Sequence, residues 1–284
     1  MSDLIQSKAT ICVVNYRTPE LIRLCLSAVR RFTMYPHDLV VVDNDSQDAS
    51  LEYLRQVPWI RLIERRPGPL DGIGAHAHGA ALDLALAQCR TEFFVSLHSD
   101  TIITRESWLE NLIRHFDDAP DLACVGTGKI EVKPQWQVLL KKATDLRGLL
   151  RKLLDDPAKR ARYHYFIRTI CSVYRTDILR REGLSFGADE ARHYTVGQKL
   201  YFELLNRGYR TVALSQREAG RWVVHLAHAT VNANAAQFGR SEKDVAKHLR
   251  RHIRALRRVR TNERPPDVPA QLHPACVRRT HAGQ

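Results

Sequence analysis

The chain has 284 residues, 44% of them hydrophobic, with 44 Lys and Arg against 31 Asp and Glu for a net charge of +13. That length allows one large α/β domain or two small ones, and the charge favours polyanionic partners: nucleic acid, anionic lipid headgroups or phosphorylated substrates. The cysteines at 12, 25, 89, 124, 171 and 276 lack CxxC spacing, which argues against a zinc site or a disulfide framework and for a reducing cytoplasm; residues 1–9 carry no apolar signal region, and no apolar run approaches the ~20 residues of a membrane span.

Residues 10–15, TICVVN, form a β-branched run too short for a helix. The polar stretch from Asn15 to Pro19 breaks it, and Pro19 opens a helix with Thr18 as the expected N-cap. Leu21, Leu24, Cys25, Ala28 and Val29 give that helix an apolar stripe. A second strand, residues 38–43, ends in Asp43-Asn44-Asp45-Ser46, a polar turn expected to cap the helix running through Leu54. Residues 60–64 read as a third strand. A Gly-rich loop at 71–79 then feeds an Ala-rich helix to Cys89. The loop does not match GxGxxG, and Pro67 and Pro69 argue against a dinucleotide turn.

The fourth strand, residues 93–97, runs into His98-Ser99-Asp100 and a further β-branched run. Strand and helix alternate four times in about a hundred residues, the sequence form of a parallel, doubly wound sheet. Right-handed crossovers place the strand ends on one edge, where such sheets bind ligands. Three polar clusters share that edge: residues 15–18, 43–46 and 98–100. On an extended backbone His98 and Asp100 point the same way. Together they suit one divalent cation, which in turn suits a diphosphate. A strand-terminal turn capped by Asp100 is the alternative reading, and helix capping is the alternative for Asp43.

The second half is less regular. Residues 108–116 read as a helix and 123–132 as a strand. Residues 135–154 read as a basic amphipathic helix, either packed on its own domain or lying on a membrane interface. A strand at 166–174, a helix at 176–181 and a polar loop at 187–194 follow. A helix at 196–206 ends at Gly208 as C-cap. Strands at 209–214 and 222–226 precede a strongly basic helix at 241–260. Residues 263–284, with four prolines, read as a tail. The basic residues lack interleaved aromatics or a reading helix, so nucleic acid is not an expected partner.

In this order the segments VVNYRTPELIRLCLSAV, VVDNDSQDAS, the Gly-rich loop, SLHSDTII, YTVGQKLYFELLNRGYRTVAL and WVVHLAH resemble the family 2 glycosyltransferases of GT-A fold, over residues 10 to about 230. The resemblance implies one GT-A domain at 1–262, with a Rossmann-like nucleotide-sugar half at 10–104 and an acceptor half at 105–262. It assigns donor contacts to Asn15, Tyr16, Thr18, Asp43, Asn44, Gly74 and Ser99. It places the family's Asp-x-Asp motif, which binds Mn²⁺ or Mg²⁺, on His98-Ser99-Asp100, with His225 as a further ligand and His228 its neighbour. It also implies transfer from a UDP- or dTDP-sugar to a glycan or lipid-linked hydroxyl, with inversion. Bacterial polysaccharide or lipopolysaccharide assembly at the inner membrane face fits that reading. Two departures stand out. His98 replaces the motif's first carboxylate, which favours Mn²⁺ or another transition metal over Mg²⁺. Val196-Gly197 stands where many members carry the acidic base, so Asp189 or Glu190 becomes the catalytic candidate. A transferase-like protein that binds nucleotide sugars without turning them over is the alternative.

Overall fold

A computed structural model describes residues 7–66, 68, 74–128, 166–227 and 229–260. A seven-stranded sheet in the order β3-β2-β1-β4-β7-β6-β8 forms its centre. The strands are β1 (Ala9–Asn15), β2 (His37–Asp43), β3 (Arg61–Glu64), β4 (Phe93–His98), β6 (Leu122–Thr127), β7 (Cys171–Arg175) and β8 (Arg210–Leu214). The first four run parallel; β6 and β8 are parallel to each other, and β7 is antiparallel to both of its neighbours. A separate antiparallel pair joins β5 (Thr101–Ile103) to β9 (Val223–His225). The fold is the mixed α/β, mainly parallel architecture that the strand–helix alternation implies.

Two cores lie on opposite faces of the sheet, and the strands feed them alternately because side chains switch face at every residue. Ile11 and Val13 of β1 join Ile22, Leu26 and Val29 of α1 (Pro19–Phe32) and Trp108 and Leu112 of α4 (Trp108–Ile113). Cys12 and Val14 join Leu82 and Leu86 of α3 (Ala75–Gln88), Ile178 of α5 (Thr176–Arg181) and Leu200 of α6 (Gln198–Asn206). This two-sided burial lets central strands be apolar throughout, as in LVVV of β2. Among the described residues, α7 (Gln216–Ala219), β9, α8 (Ala229–Ala233) and α9 (Glu242–Arg260) follow β8.

Several expectations are corrected. Thr18 stands at the N-cap of α1, but its side chain makes no capping bond. Its hydroxyl donates instead to Asn15 Oδ1 at 2.9 Å, a buried acceptor that outcompetes the helix end. The helix α2 (Ala49–Arg55) is capped by Asp48, not by the 43–46 turn. Gly79 belongs to α3 rather than to a loop, and a Cβ there would lie 3.0 Å from the carbonyl oxygen of Phe186. Its role is therefore close packing. The strand expected from 166 begins at Cys171, because residues 166–170 wrap irregularly round the end of β4, where His98 N donates to Ile170 O. The extension of β6 to residue 132, the basic helix at 135–154, His228 and the tail at 263–284 lie outside the described residues. Among the described residues no helix is long and apolar enough to cross a membrane.

Candidate functional site

In-register pairing sets Asn15 against Asp43 and Val14 against His98, so the ends of β2, β1 and β4 finish level. A cavity of about 580 Å³ opens at that edge. Tyr16, Asn44, Gly74, His98, Ser99, Asp100 and His225 line it among the residues singled out from sequence. Arg168, Thr169, Thr195 and Val196 form its far wall.

At the floor His98, Asp100 and His225 bring one ligand atom each to within 4.8 Å of the others. Local pairing explains the convergence. Thr101 faces His225 in the β5–β9 ladder, and Leu226 N donates to Asp100 O at 2.8 Å, which carries the late histidine to the carboxylate. His225 Nε2 lies 3.2 Å and His98 Nδ1 3.8 Å from Asp100 Oδ1. That oxygen is buried and accepts no hydrogen bond of good geometry. A buried carboxylate oxygen that has a histidine beside it but no well-aligned donor suits a cation. Burial alone would raise the Asp100 carboxyl; the adjacent His225 outweighs it and holds the group below its ordinary value. Burial drives His98 down to about 3 and His78 beside it down to about 4. The set is thus an ionised carboxylate with a neutral imidazole at 98, the protonation state in which such groups bind metal. Two nitrogens and one oxygen fit a borderline divalent cation, and the three residues could hold one.

Asn15, Thr18 and Asp43 do not line the cavity; they form the layer beneath it. Asn15 Nδ2 donates to Asp43 Oδ1 at 2.7 Å and to the hydroxyls of Ser46 and Ser50 at 3.1 and 2.8 Å. Asp43 also accepts from the Ser46 hydroxyl and backbone N–H at 2.6 and 2.9 Å. This buried knot fixes the two turns that present Tyr16 and Asn44. Asn44 Nδ2 in turn donates to Ala77 O at 3.2 Å and pins α3 to the cavity wall. Arg17 and Asp45, both on the lining, adopt left-handed backbone, with φ of 48° and 58°.

Asp189 and Glu190 are not brought to the cavity. Asp189 pairs backbone to backbone with Tyr194, and its carboxylate accepts from Arg192 N at 3.1 Å. Glu190 is exposed and meets His76 Nε2 at 2.9 Å. Val196 does line the cavity. The reading from sequence missed Thr169, which sits in an apolar stretch that signals only a strand, and His78, hidden in an Ala-rich helix.

The sequence profile of Glycosyl transferase family 2 matches residues 10–182. The match includes His98 and Asp100 and stops before His225. Among solved structures, a mannosyltransferase, PcManGT from Pyrobaculum calidifontis, in complex with GDP-Man and Mn²⁺, aligns at 20% identity and a TM-score of 0.52, over 96% of this chain and 71% of that one. TarS of S. aureus aligns at 15% identity and a TM-score of 0.50, over 90% of this chain and 44% of that one. Likenesses this distant establish the fold alone. A search of curated proteins gives no significant match. With a family profile matched over more than half its length and a sheet of the GT-A type, this chain belongs to glycosyl transferase family 2.

Proposed function

We propose that the chain transfers a sugar from a nucleotide-diphosphate sugar to a hydroxyl acceptor, by a single inverting displacement that depends on a metal ion. The observation that carries this reading is the convergence of Asp100, His98 and His225 on the floor of a cavity walled by the ends of β1, β2 and β4. In this reading the nucleotide lies against Tyr16, Asn44, Gly74 and Ser99, in the half of the chain spanning 10–104. Asn15, Thr18 and Asp43 hold the shape of that wall from below. Asp100, His98 and His225 hold Mn²⁺ or Mg²⁺. Once bound, the cation supplies positive charge to the departing diphosphate.

The acceptor approaches from the side of Arg168, Thr195 and Val196, in the half spanning 105–262. Asp189 is the better placed of the two acidic candidates to take its proton. Its side chain is 21% exposed and tethered near Arg192, whereas that of Glu190 is 85% exposed. The 187–194 loop has to carry it inward on substrate binding; catalytic contacts that are long in the free protein often tighten in the complex. UDP- and dTDP-sugars are the first donors to try, together with GDP-mannose, the ligand of the Pyrobaculum complex. A glycan or lipid-linked acceptor at an anionic membrane surface, in bacterial surface-polysaccharide assembly, suits the basic positions of α9. Lys243, Lys247 and Arg250 are exposed there.

The test is release of nucleoside diphosphate from a donor panel, with and without Mn²⁺, in the presence of candidate acceptors. Metal-dependent release from one donor supports the transferase. Val196 at the acceptor wall favours one second reading, a nucleotide-sugar-binding protein without turnover. Donor binding by calorimetry with no release from any donor–acceptor pair would favour that reading.

A further inference from the structure

A cation ligand must be aimed as well as present, and His98 is aimed by groups that neither its own strand nor the ligand set explains. Its Nε2 lies 3.1 Å from the Thr169 hydroxyl. For Nδ1, the nitrogen facing Asp100, to offer a lone pair, Nε2 must carry the proton and donate it to Thr169 Oγ1. A ligating histidine is normally fixed in this way through its second nitrogen. Thr169 is itself buried, and its carbonyl accepts from Ser96 Oγ at 2.7 Å, which ties it to the strand that carries His98. Its methyl group fills a space left by Gly197: a Cβ there would stand 2.9 Å from Thr169 Cγ2. Gly197 also has φ of 73°, a backbone that tolerates glycine best. On its other side the His98 ring meets His78 edge to face, with centroids 4.8 Å apart and planes at 75°. The ring is therefore held at two points with Nδ1 turned toward Asp100.

The resulting donor set is two imidazole nitrogens and one carboxylate oxygen. Magnesium favours oxygen ligands and gives up its water reluctantly, whereas cobalt and zinc take imidazole readily and manganese, a larger first-row ion, tolerates it better than magnesium does. Resting on the metal reading above, we infer that Thr169, seated against Gly197, is the positioning residue that makes His98 a ligand, and that the centre selects manganese, cobalt or zinc over magnesium. Position 197 thereby acquires a role in the metal centre. A side chain there would displace Thr169 and loosen His98.

The test is calorimetric titration of the full chain with Mn²⁺, Co²⁺ and Mg²⁺ in turn, repeated with uridine and guanosine diphosphate present. Wild type is expected to bind Mn²⁺ and Co²⁺ at least about 10-fold more tightly than Mg²⁺. Thr169→Val should lower Mn²⁺ affinity by about 10–100-fold, the usual cost of losing a partner of a ligating histidine, and Thr169→Ser should restore it. His98→Asp should erase most of the preference for Mn²⁺ over Mg²⁺. A purely structural Thr169 would lower the melting temperature of Thr169→Val and leave its Mn²⁺ affinity unchanged, which overturns the inference. Equal binding of Mg²⁺ and Mn²⁺ by wild type overturns it too. If Thr169→Val does not fold, His98→Asp decides, and selectivity kept in that variant overturns the inference. Wild type that binds a nucleoside diphosphate but none of the cations removes the inference and leaves the donor site standing. Wild type that binds neither removes both.

Discussion

The two walls of the cavity are built differently. The strand-end wall is braced: beneath it Asn15 reaches Asp43, Ser46 and Ser50, and on it Asn44 reaches α3 and His98 reaches Thr169. On the loop wall the acidic groups stand outside, with Asp189 turned to Arg192 and Glu190 to His76. A leaving group that develops charge needs fixed countercharge. An acceptor has to enter, and the side that admits it has to move. On the proposed function, the contrast gives preorganisation to the first wall and adaptation to the second.

Breaking the first wall at its charge should have the largest effect. Asp100→Ala is expected to cut nucleoside diphosphate release by about 10³-fold, the loss of several kcal/mol of charge stabilisation. Its circular dichroism should match that of wild type. On the second wall Asp189→Asn should lower transfer by about 10²-fold, the lower range for a lost general base. Its donor affinity, read by calorimetry, should not change. An equal loss of donor binding would move Asp189 to the first wall. Asp43→Ala should act on stability: it strips the charged acceptor from Asn15 and Ser46 and should cost about 2 kcal/mol in urea unfolding. Glu190→Gln should be the mildest, since an exposed pair such as Glu190–His76 contributes at most about 1 kcal/mol. A larger loss of activity in Glu190→Gln than in Asp189→Asn would exchange the two assignments.

The same contrast governs what the sequence made legible. The strands β1 to β4 stand out as β-branched runs, each ended by a polar turn, and the parallel register aligns those ends without further information. The reversed direction of β7 is not encoded in the local pattern of CSVYR, since strand pairing is decided by tertiary context. Asp43 was open to two readings, ligand contact or helix cap, because Asp serves both. It does not cap α2, which Asp48 does; its side chain anchors Asn15 and Ser46 beneath the cavity. His225 was singled out only through resemblance. What brings it to Asp100 is the pairing of Thr101 with His225, a long-range contact that no spacing rule reveals. Thr169 gave no signal at all, because a threonine inside FIRTICSVY reads as strand filler.

On the proposed reading Asp100, His98 and His225 hold a divalent cation at the floor of a donor cavity. Anomalous diffraction at the manganese edge, from crystals grown with Mn²⁺ and a nucleoside diphosphate, tests it directly. One strong peak is expected, bounded by Asp100 Oδ1, an imidazole nitrogen of His98 and one of His225, with diphosphate oxygens completing the shell. A diphosphate seated in the cavity with no peak among those three residues, or a peak elsewhere on the protein, would contradict it.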